Sequence, residues 1–379
     1  MRDALDFWAQ ATSQTSPGDV IDTNGLPTDL DWRHGHALAV RLGFVPVEGS
    51  PSVYVNRRTP QSLALRWVEL CDFEMWLKLF KTCFGHEITR EHWEWKYRAA
   101  ARPGVGVLLG ERLVAYYGGM PRPVASQGRL HRGIQIGDVM VDPEFRGVLG
   151  RRGPFQMAAS TFLEQMLSVG SPYQLGFGFP NERAMRVAQR LHLYRPVDEI
   201  LELSWPAAGL HKAKIFSGFQ ETAADDAWKS GDPLWHDMTA PLASALVGVR
   251  DSRYLKQRYL EHPTNDYIWL QSKSRITGKV LAMGVCKPQP DSRLEVLDLL
   301  GHPARFADIV CSIRSYAKSM NIDEVFMWMT RSQTACLETT TPRHRHLQVW
   351  VPSNDWVPAN FEGETDNRWW LTGGDTDFR

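Results

Sequence analysis

The chain lacks an excess of either charge: 43 Lys and Arg stand against 43 Asp and Glu in 379 residues. A surface that grips nucleic acid carries a basic surplus, so no nucleic-acid partner is expected. It lacks long apolar runs. No window approaches the roughly 18 apolar residues of a spanning helix, so no membrane partner is expected either. The opening stretch "MRDALDFWAQATSQTSPGD" has neither the basic head nor the apolar core of a secretory signal. Cysteine is sparse. Cys71, Cys83, Cys286, Cys311 and Cys336 are odd in number, scattered, and nowhere spaced C-x-x-C. They read as reduced thiols of a cytoplasmic protein, not as a disulfide framework or a zinc site. No metal is expected. His344 and His346 in "PRHRH" have no acid or cysteine at ligand spacing. The terminal "GGDTDF" lacks the twelve-residue calcium-loop pattern with its final Glu.

What is present suits a globular protein with a large core: 43% hydrophobic residues and 23% charged. The length suggests two domains. The fifteen tryptophans are expected in the core and between domains. Residues 1–60 mix a short helix-like and a strand-like run with loop, and are set apart as an appendage. From about residue 66 the spacing predicts two helices, in "LCDFEMWLKLFKTCF" and in "ITREHWEWKYRAA" with Thr89 as N-cap. Three strands follow in 104–141, with turns at "GER" and "SQGR". Then come a helix at 154–168 opened by Pro154, a strand in "SPYQLGFGF", a helix capped by Asn181, and a strand in "RPVDEILELSW". The pattern predicts an α/β chain built on a mixed sheet.

Residues 250–263, "RDSRYLKQRYLEHP", echo 90–103, "REHWEWKYRAAARP": an Arg-acid start, aromatics, a basic-Tyr pair, then Pro. A hairpin, a strand, a helix and a strand follow in both places, which points to an internal duplication.

The chemistry concentrates in 138–155, "DVMVDPEFRGVLGRRGPF". Gly147, Gly150 and Gly153 fall at every third position, with Arg146, Arg151 and Arg152 among them, between a strand and a helix. Glycines let backbone N–H groups approach a ligand, and the helix N-terminus adds positive potential. Such a turn is suited to a phosphate or diphosphate, with the arginines on its outer oxygens. The Walker Lys-Ser/Thr pair is missing, and the spacing is G-x-x-G-x-x-G, not G-x-G-x-x-G.

"V-D-P-E-F-R-G" entering loop and helix resembles motif A of the GCN5-related N-acetyltransferase superfamily. "NERAMRVAQRLHLYRPV" resembles its later Asn-x-x-Ala helix, with Asn181 and Ala184 in place and Leu191-His192-Leu193 where Leu-Gly-Phe is usual. The resemblance implies the acyl-CoA N-acyltransferase fold, in two tandem copies, with an acyl-CoA-binding domain over 61–205 and a degenerate one over 206–379. It implies acetyl-CoA, or another acyl-CoA, as co-substrate, with its diphosphate on Arg146, Gly147, Gly150, Arg151, Arg152 and Gly153. Asn181 belongs to the same cofactor site. The pantetheine would pair with the backbone of Met140 and Val141. Asp138 is the expected general base for a small-molecule amine attacking directly in a ternary complex. The position seven after Asn181, where relatives carry a tyrosine acid, is Ala188, so Tyr194 is the candidate acid. Counted from Arg146, the first glycine position of the family pattern is Leu149, so this loop is longer. The second half has only "GHPAR" in place of the loop, and Asp298 where Asp138 stands. It is expected to bind no coenzyme and to shape the acceptor cleft. Two other readings remain: a non-catalytic acyl-CoA-binding scaffold, and an aminoacyl-tRNA-dependent transferase of the same fold, which would need a basic surface.

Overall fold

A computed structural model describes residues 3–24, 26, 34–59, 62–147, 153–208, 217–358 and 360–379. The chain begins with α1 (Ala4–Gln14), β1 (Val20–Asp22), α2 (Gly35–Leu42), β2 (Phe44–Val47) and β3 (Ser50–Asn56), whose strands form a small sheet ordered β1-β3-β2. Asp3 caps α1 by accepting the Asp6 amide at 2.9 Å, and its other oxygen accepts the Trp67 indole N–H at 2.9 Å. Trp8, Leu38 and Phe44 are fully buried, in one cluster with Val105, Tyr117 and Phe162. The segment expected to be an appendage is therefore part of the first core. Its sequence gave no hint, because its apolar residues are buried against later elements.

The first unit comprises β4 (Ala64–Val68), α3 (Phe73–Phe84), α4 (Arg90–Tyr97), β5 (Gly104–Leu109), β6 (Arg112–Ser126), β7 (Arg129–Val141), α5 (Pro154–Met166), β8 (Leu175–Gly178), α6 (Glu182–Arg190) and β9 (Tyr194–Pro206). The expected caps are in place. Thr89 accepts the His92 amide at 3.2 Å, Asn181 accepts that of Ala184 at 2.9 Å, and Pro154 is the first residue of α5. His192 takes a left-handed φ of 54° at the position where the family pattern has glycine.

The second half contains β10 (Ser217–Glu221), α7 (Ala224–Ala227), α8 (Gly231–Thr239), β11 (Leu246–Gly248), α9 (Ser252–Leu255) running into a π turn over Lys256–Leu260, β12 (Ile268–Ser274), β13 (Val280–Pro288), β14 (Arg293–Gly301), α10 (Phe306–Ser319), β15 (Glu324–Thr330), β16 (Arg343–Asn354) and β17 (Trp369–Trp370). The duplication is visible in the pairing. In each half a helix precedes three antiparallel strands, and a crossover helix then leads to a parallel strand: β7 with β8 across α5, and β14 with β15 across α10. The fold is the expected mixed α/β one, in two related copies.

The expected division after residue 205 does not separate the sheets. β9 lies in the second sheet, ordered β10-β12-β13-β14-β15-β9-β16. In return β11 and β17 join the first sheet beside β6. The halves are thus exchanged along their edges, and each completes the other's hydrogen bonding.

Candidate active site

β7 pairs with β8 only from Gly133↔Leu175 to Ile136↔Gly178. Beyond that register β7 continues to Val141, while the chain after β8 turns through Pro180 into α6. The two parallel strands therefore diverge. A cavity of about 800 Å³ occupies the gap and is lined by residues of α3 and α4 on one face of the sheet and of α5 on the other.

The pleat sets what faces the gap. Asp142 donates its amide to the Val114 carbonyl at 2.9 Å, which makes that opposing pair a hydrogen-bonded one. By the alternation of an antiparallel ladder, Met140 bonds back to Tyr116, and the N–H and C=O of Val141 point away from β6, toward the gap. The Val141 carbonyl already accepts from Arg146 Nε at 2.9 Å and from the Cys83 thiol at 3.4 Å. Of the two backbone groups expected to meet pantetheine, only the Val141 N–H is presented, and Met140 is turned into the sheet. Its side chain is buried with those of α3 and α4.

A bulge opposite Tyr117 shifts the register of β7, and Asp138 sits in it with φ +50°. The kink aims Asp138 at α4. Lys96 Nζ lies 2.7 and 2.8 Å from its two oxygens, and the Tyr97 hydroxyl donates to Oδ2 at 2.7 Å. Lys96 also meets Asp377 of the C-terminal tail at 2.8 Å, and Gln135 donates to that carboxylate at 3.2 Å. All three charged side chains are under one-tenth exposed. Burial pushes the Asp138 carboxyl above its ordinary range, and the Lys96 ammonium opposes that push. The two carboxylates in turn drive the Lys96 pKa upward, against its burial.

Three aromatic groups stand beside this cluster. His92 precedes Lys96 by one helical turn and lines the same cavity. Its Nε2 is buried without a hydrogen-bond partner among the described residues. Burial, with Lys96 nearby, lowers its pKa to about 4. His262 faces it with ring centroids 5.1 Å apart and is lowered to about 3, again chiefly by burial. Both are neutral at neutral pH. On the α5 side of the gap, Tyr194 lines the cavity at the start of β9. Burial pushes its hydroxyl up to about 12, and a hydrogen bond from Tyr117 partly offsets this. The bend at His192 brings it there. Ala188 is wholly buried inside α6.

Arg146 and Gly147 end the short helical turn after β7, and Gly153 with Pro154 opens α5 beneath the gap. Gly150, Arg151 and Arg152, together with Leu149, lie outside the described residues. Asn181 lines the cavity while its side-chain oxygen caps α6.

Lys96, Asp377, His92 and His262 were not singled out from the sequence. A signal for Lys96 existed in the duplication, where its Lys-Tyr pair matches Arg258-Tyr259. Asp377 had none, since it lies 242 positions from Gln135, its partner.

Residues 64–186 match the family model described as "Acetyltransferase (GNAT) domain". That stretch is a GNAT domain. It starts at β4 and ends inside α6, so it holds both diverging strands, the loop between them and the helix that Asn181 caps. No curated protein matches the chain by sequence. Among solved structures, the chain resembles a probable N-acyltransferase from Enterococcus faecalis V583 (TM-score 0.60, 12% identity, 78% of this chain and 73% of that one). It also resembles a GCN5-related N-acetyltransferase from Kribbella flavida (TM-score 0.55, 16% identity, 77% and 70%). Saccharomyces cerevisiae N-myristoyltransferase with bound myristoyl-CoA superposes over 96% of this chain and 98% of its own, with TM-score 0.52 and 10% identity. At such identities these likenesses concern the fold, and the last extends it through the second copy. Acyl transfer is the activity class that the GNAT domain carries.

The second copy keeps the geometry and loses the opening. Tyr259 donates to Asp298 at 2.5 Å, as Tyr97 does to Asp138. Asp298, however, is fully buried and pairs with Arg250 at 2.8 Å, and it accepts from Tyr254 and Thr372 as well. Among the described residues no group of His, Cys, Asp and Glu is placed to hold a metal, and no helix is long and apolar enough to cross a membrane. His344 and His346 lie on β16 beside Glu338 and Glu199.

Proposed function

We propose that the protein is an N-acyltransferase that moves an acyl group, acetyl in the simplest case, from coenzyme A to a small-molecule amine by direct attack in a ternary complex. The observation that carries this is the parting of β7 and β8 past Ile136↔Gly178, with one cavity passing through the gap. The donor lies on the α5 side. Its diphosphate rests on the amides of 147–153 and the N-terminus of α5, with Arg146, Arg151 and Arg152 on the outer oxygens. Its pantetheine pairs with the Val141 edge, and Asn181 borders it. The acceptor enters from the α3–α4 side.

In the reaction the amine nitrogen bonds to the thioester carbon. The carbonyl becomes an oxyanion held by the Val141 N–H, and collapse breaks the C–S bond with the electron pair on sulfur. Asp138 receives the proton from nitrogen. Burial has already moved its pKa upward, toward the range in which a carboxylate is a useful base. Tyr194 supplies a proton to the sulfur. Holding two reactants on opposite faces of one gap provides much of the acceleration. None of the five cysteines is in a disulfide, which supports a cytoplasmic setting.

The test is calorimetric titration with acetyl-CoA, followed by thiol release in the presence of amines. Micromolar binding that weakens about tenfold in Arg146→Ala is expected. Absence of any acyl-CoA binding would sink the transferase reading. Binding with unchanged turnover in Asp138→Asn would remove Asp138 from the role of base.

A further inference from the structure

The acceptor side of the cavity has a composition that selects among amines. Its wall toward the α3–α4 connection is a packed aromatic set: Phe80 lies 4.8 Å from Phe84 and 5.2 Å from His86, ring centroid to centroid. Ile88 continues it. Phe84 is 46% exposed and Phe378 of the tail is 60% exposed, and both line the cavity. Large aromatic side chains left open at the mouth of a cavity are unfavourable in water unless something apolar covers them. A cluster of polar groups lies at the floor. There two carboxylates, Asp138 and Asp377, share one ammonium, Lys96, and Arg258 and Lys287 also face His92. Beside them the His92 Nε2 is buried and unpartnered. With the proton of the neutral ring on Nδ1, this nitrogen is an acceptor that waits for a donor.

We propose that the acceptor is a primary amine on an apolar body, alkyl or aromatic, whose body lies against the Phe80–Phe84–His86 wall and whose nitrogen donates one N–H to His92 Nε2 beside the Asp138–Lys96–Asp377 floor. This rests on the transferase reading and narrows it. Among the described residues, the wall of Phe80, Phe84, His86 and Ile88 offers a sugar's hydroxyls only the His86 ring and offers a polyamine's far ammonium no carboxylate. Glycine has no apolar body to lay against that wall. His92 acts as a positioning residue: it orients the nitrogen lone pair toward the thioester, and Asp138 takes the departing proton.

The experiment measures equilibrium binding to the CoA-loaded full chain, so it does not depend on turnover. 2-Phenylethylamine and hexylamine are titrated alongside spermidine, glucosamine and glycine. The expected result is that the first two bind at least tenfold more tightly than the other three. Phe84→Ala should weaken 2-phenylethylamine about tenfold or more, since burial of one aromatic ring is withdrawn, and leave CoA affinity unchanged. His92→Phe should weaken both amines about fivefold, and His92→Asn, which keeps an acceptor, should recover part of the loss. Tighter binding of spermidine, glucosamine or glycine overturns the proposal, as does equal binding of all five. So does 2-phenylethylamine affinity unmoved by Phe84→Ala in a variant whose melting curve matches the parent. Loss of CoA binding itself would strike the transferase reading instead.

Discussion

The Tyr97 hydroxyl donates to Asp138 Oδ2 at 2.7 Å, and the same contact recurs 162 residues later between Tyr259 and Asp298. In both places the tyrosine follows a basic residue on a short helix, and the aspartate sits on the third antiparallel strand. One copy borders a cavity and the other is sealed. The duplicated pair is thus a packing device that only the first half turns toward a cavity.

Substitution should separate those roles. Asp298→Asn takes from the wholly buried Arg250 one of its two carboxylates, leaving Asp375, and disturbs the bonds that Asp298 accepts from Tyr254, Tyr259 and Thr372, so unfolding measured in urea should show a loss of about 3–5 kcal/mol. Asp138→Asn likewise leaves its cation one carboxylate, Asp377, but Asp138 accepts only from Lys96 and Tyr97, so the loss of stability should be smaller and the loss of amine turnover large. Equal destabilisation by both, with turnover intact, would contradict the division.

The two histidines predict a pH dependence. Folded, His92 and His262 protonate near 4 and 3, against 6.5 in a free chain. The unfolded chain therefore binds more protons between those values. Stability is full above pH 6.5 and declines as the pH falls toward 4. Each histidine contributes a slope below about 1.4 kcal/mol per pH unit, reduced because neither is fully buried. Charges facing His92 (Lys96, Asp377, Arg258 and Lys287) act in both directions and set its value. Urea midpoints from pH 7.5 to 4.5 should flatten in the His92→Asn, His262→Asn double variant.

Tyr194→Phe should lower kcat by about tenfold to a hundredfold while acyl-CoA affinity holds, because only proton delivery to sulfur is removed. A substrate whose leaving thiol is more acidic should show a smaller effect. If both thioesters lose equally, Tyr194 is a wall and not an acid.

Arg41 joins the N-terminal segment to the helix under the site. It pairs with Glu164 of α5 at 2.8 Å and donates to Thr161 at 2.6 Å, while Trp356 donates to Glu164 at 2.9 Å. Arg41→Ala leaves a buried carboxylate without its cation and should cost about 3 kcal/mol or more in denaturant. Removal of residues 1–59 should abolish folding of the first unit. A truncated chain that melts like the parent would refute the shared core.

Local chemistry made much of the first unit legible. Thr89, Asn181 and Pro154 announced helix starts because a cap needs only its own next three residues. "GER" and "SQGR" announced turns for the same reason. The Gly-Arg loop raised the expectation of an anion site because glycine spacing and a following helix are both sequence-local, and its residues 148–152 lie outside those described.

The sequence alone determined the order of helices and strands in 64–206, the caps that start the helices, and the GNAT resemblance. Tertiary structure decided what lies far apart in the chain. It placed β9 in the second sheet, since a strand's alternation says which faces are buried and nothing about which neighbour it will meet. It folded the described residues between 3 and 59 into the first core, whose partners lie beyond residue 64. It brought Asp377 to Lys96 and Asp138, because a buried ion pair depends on distance in space, and no local pattern records that.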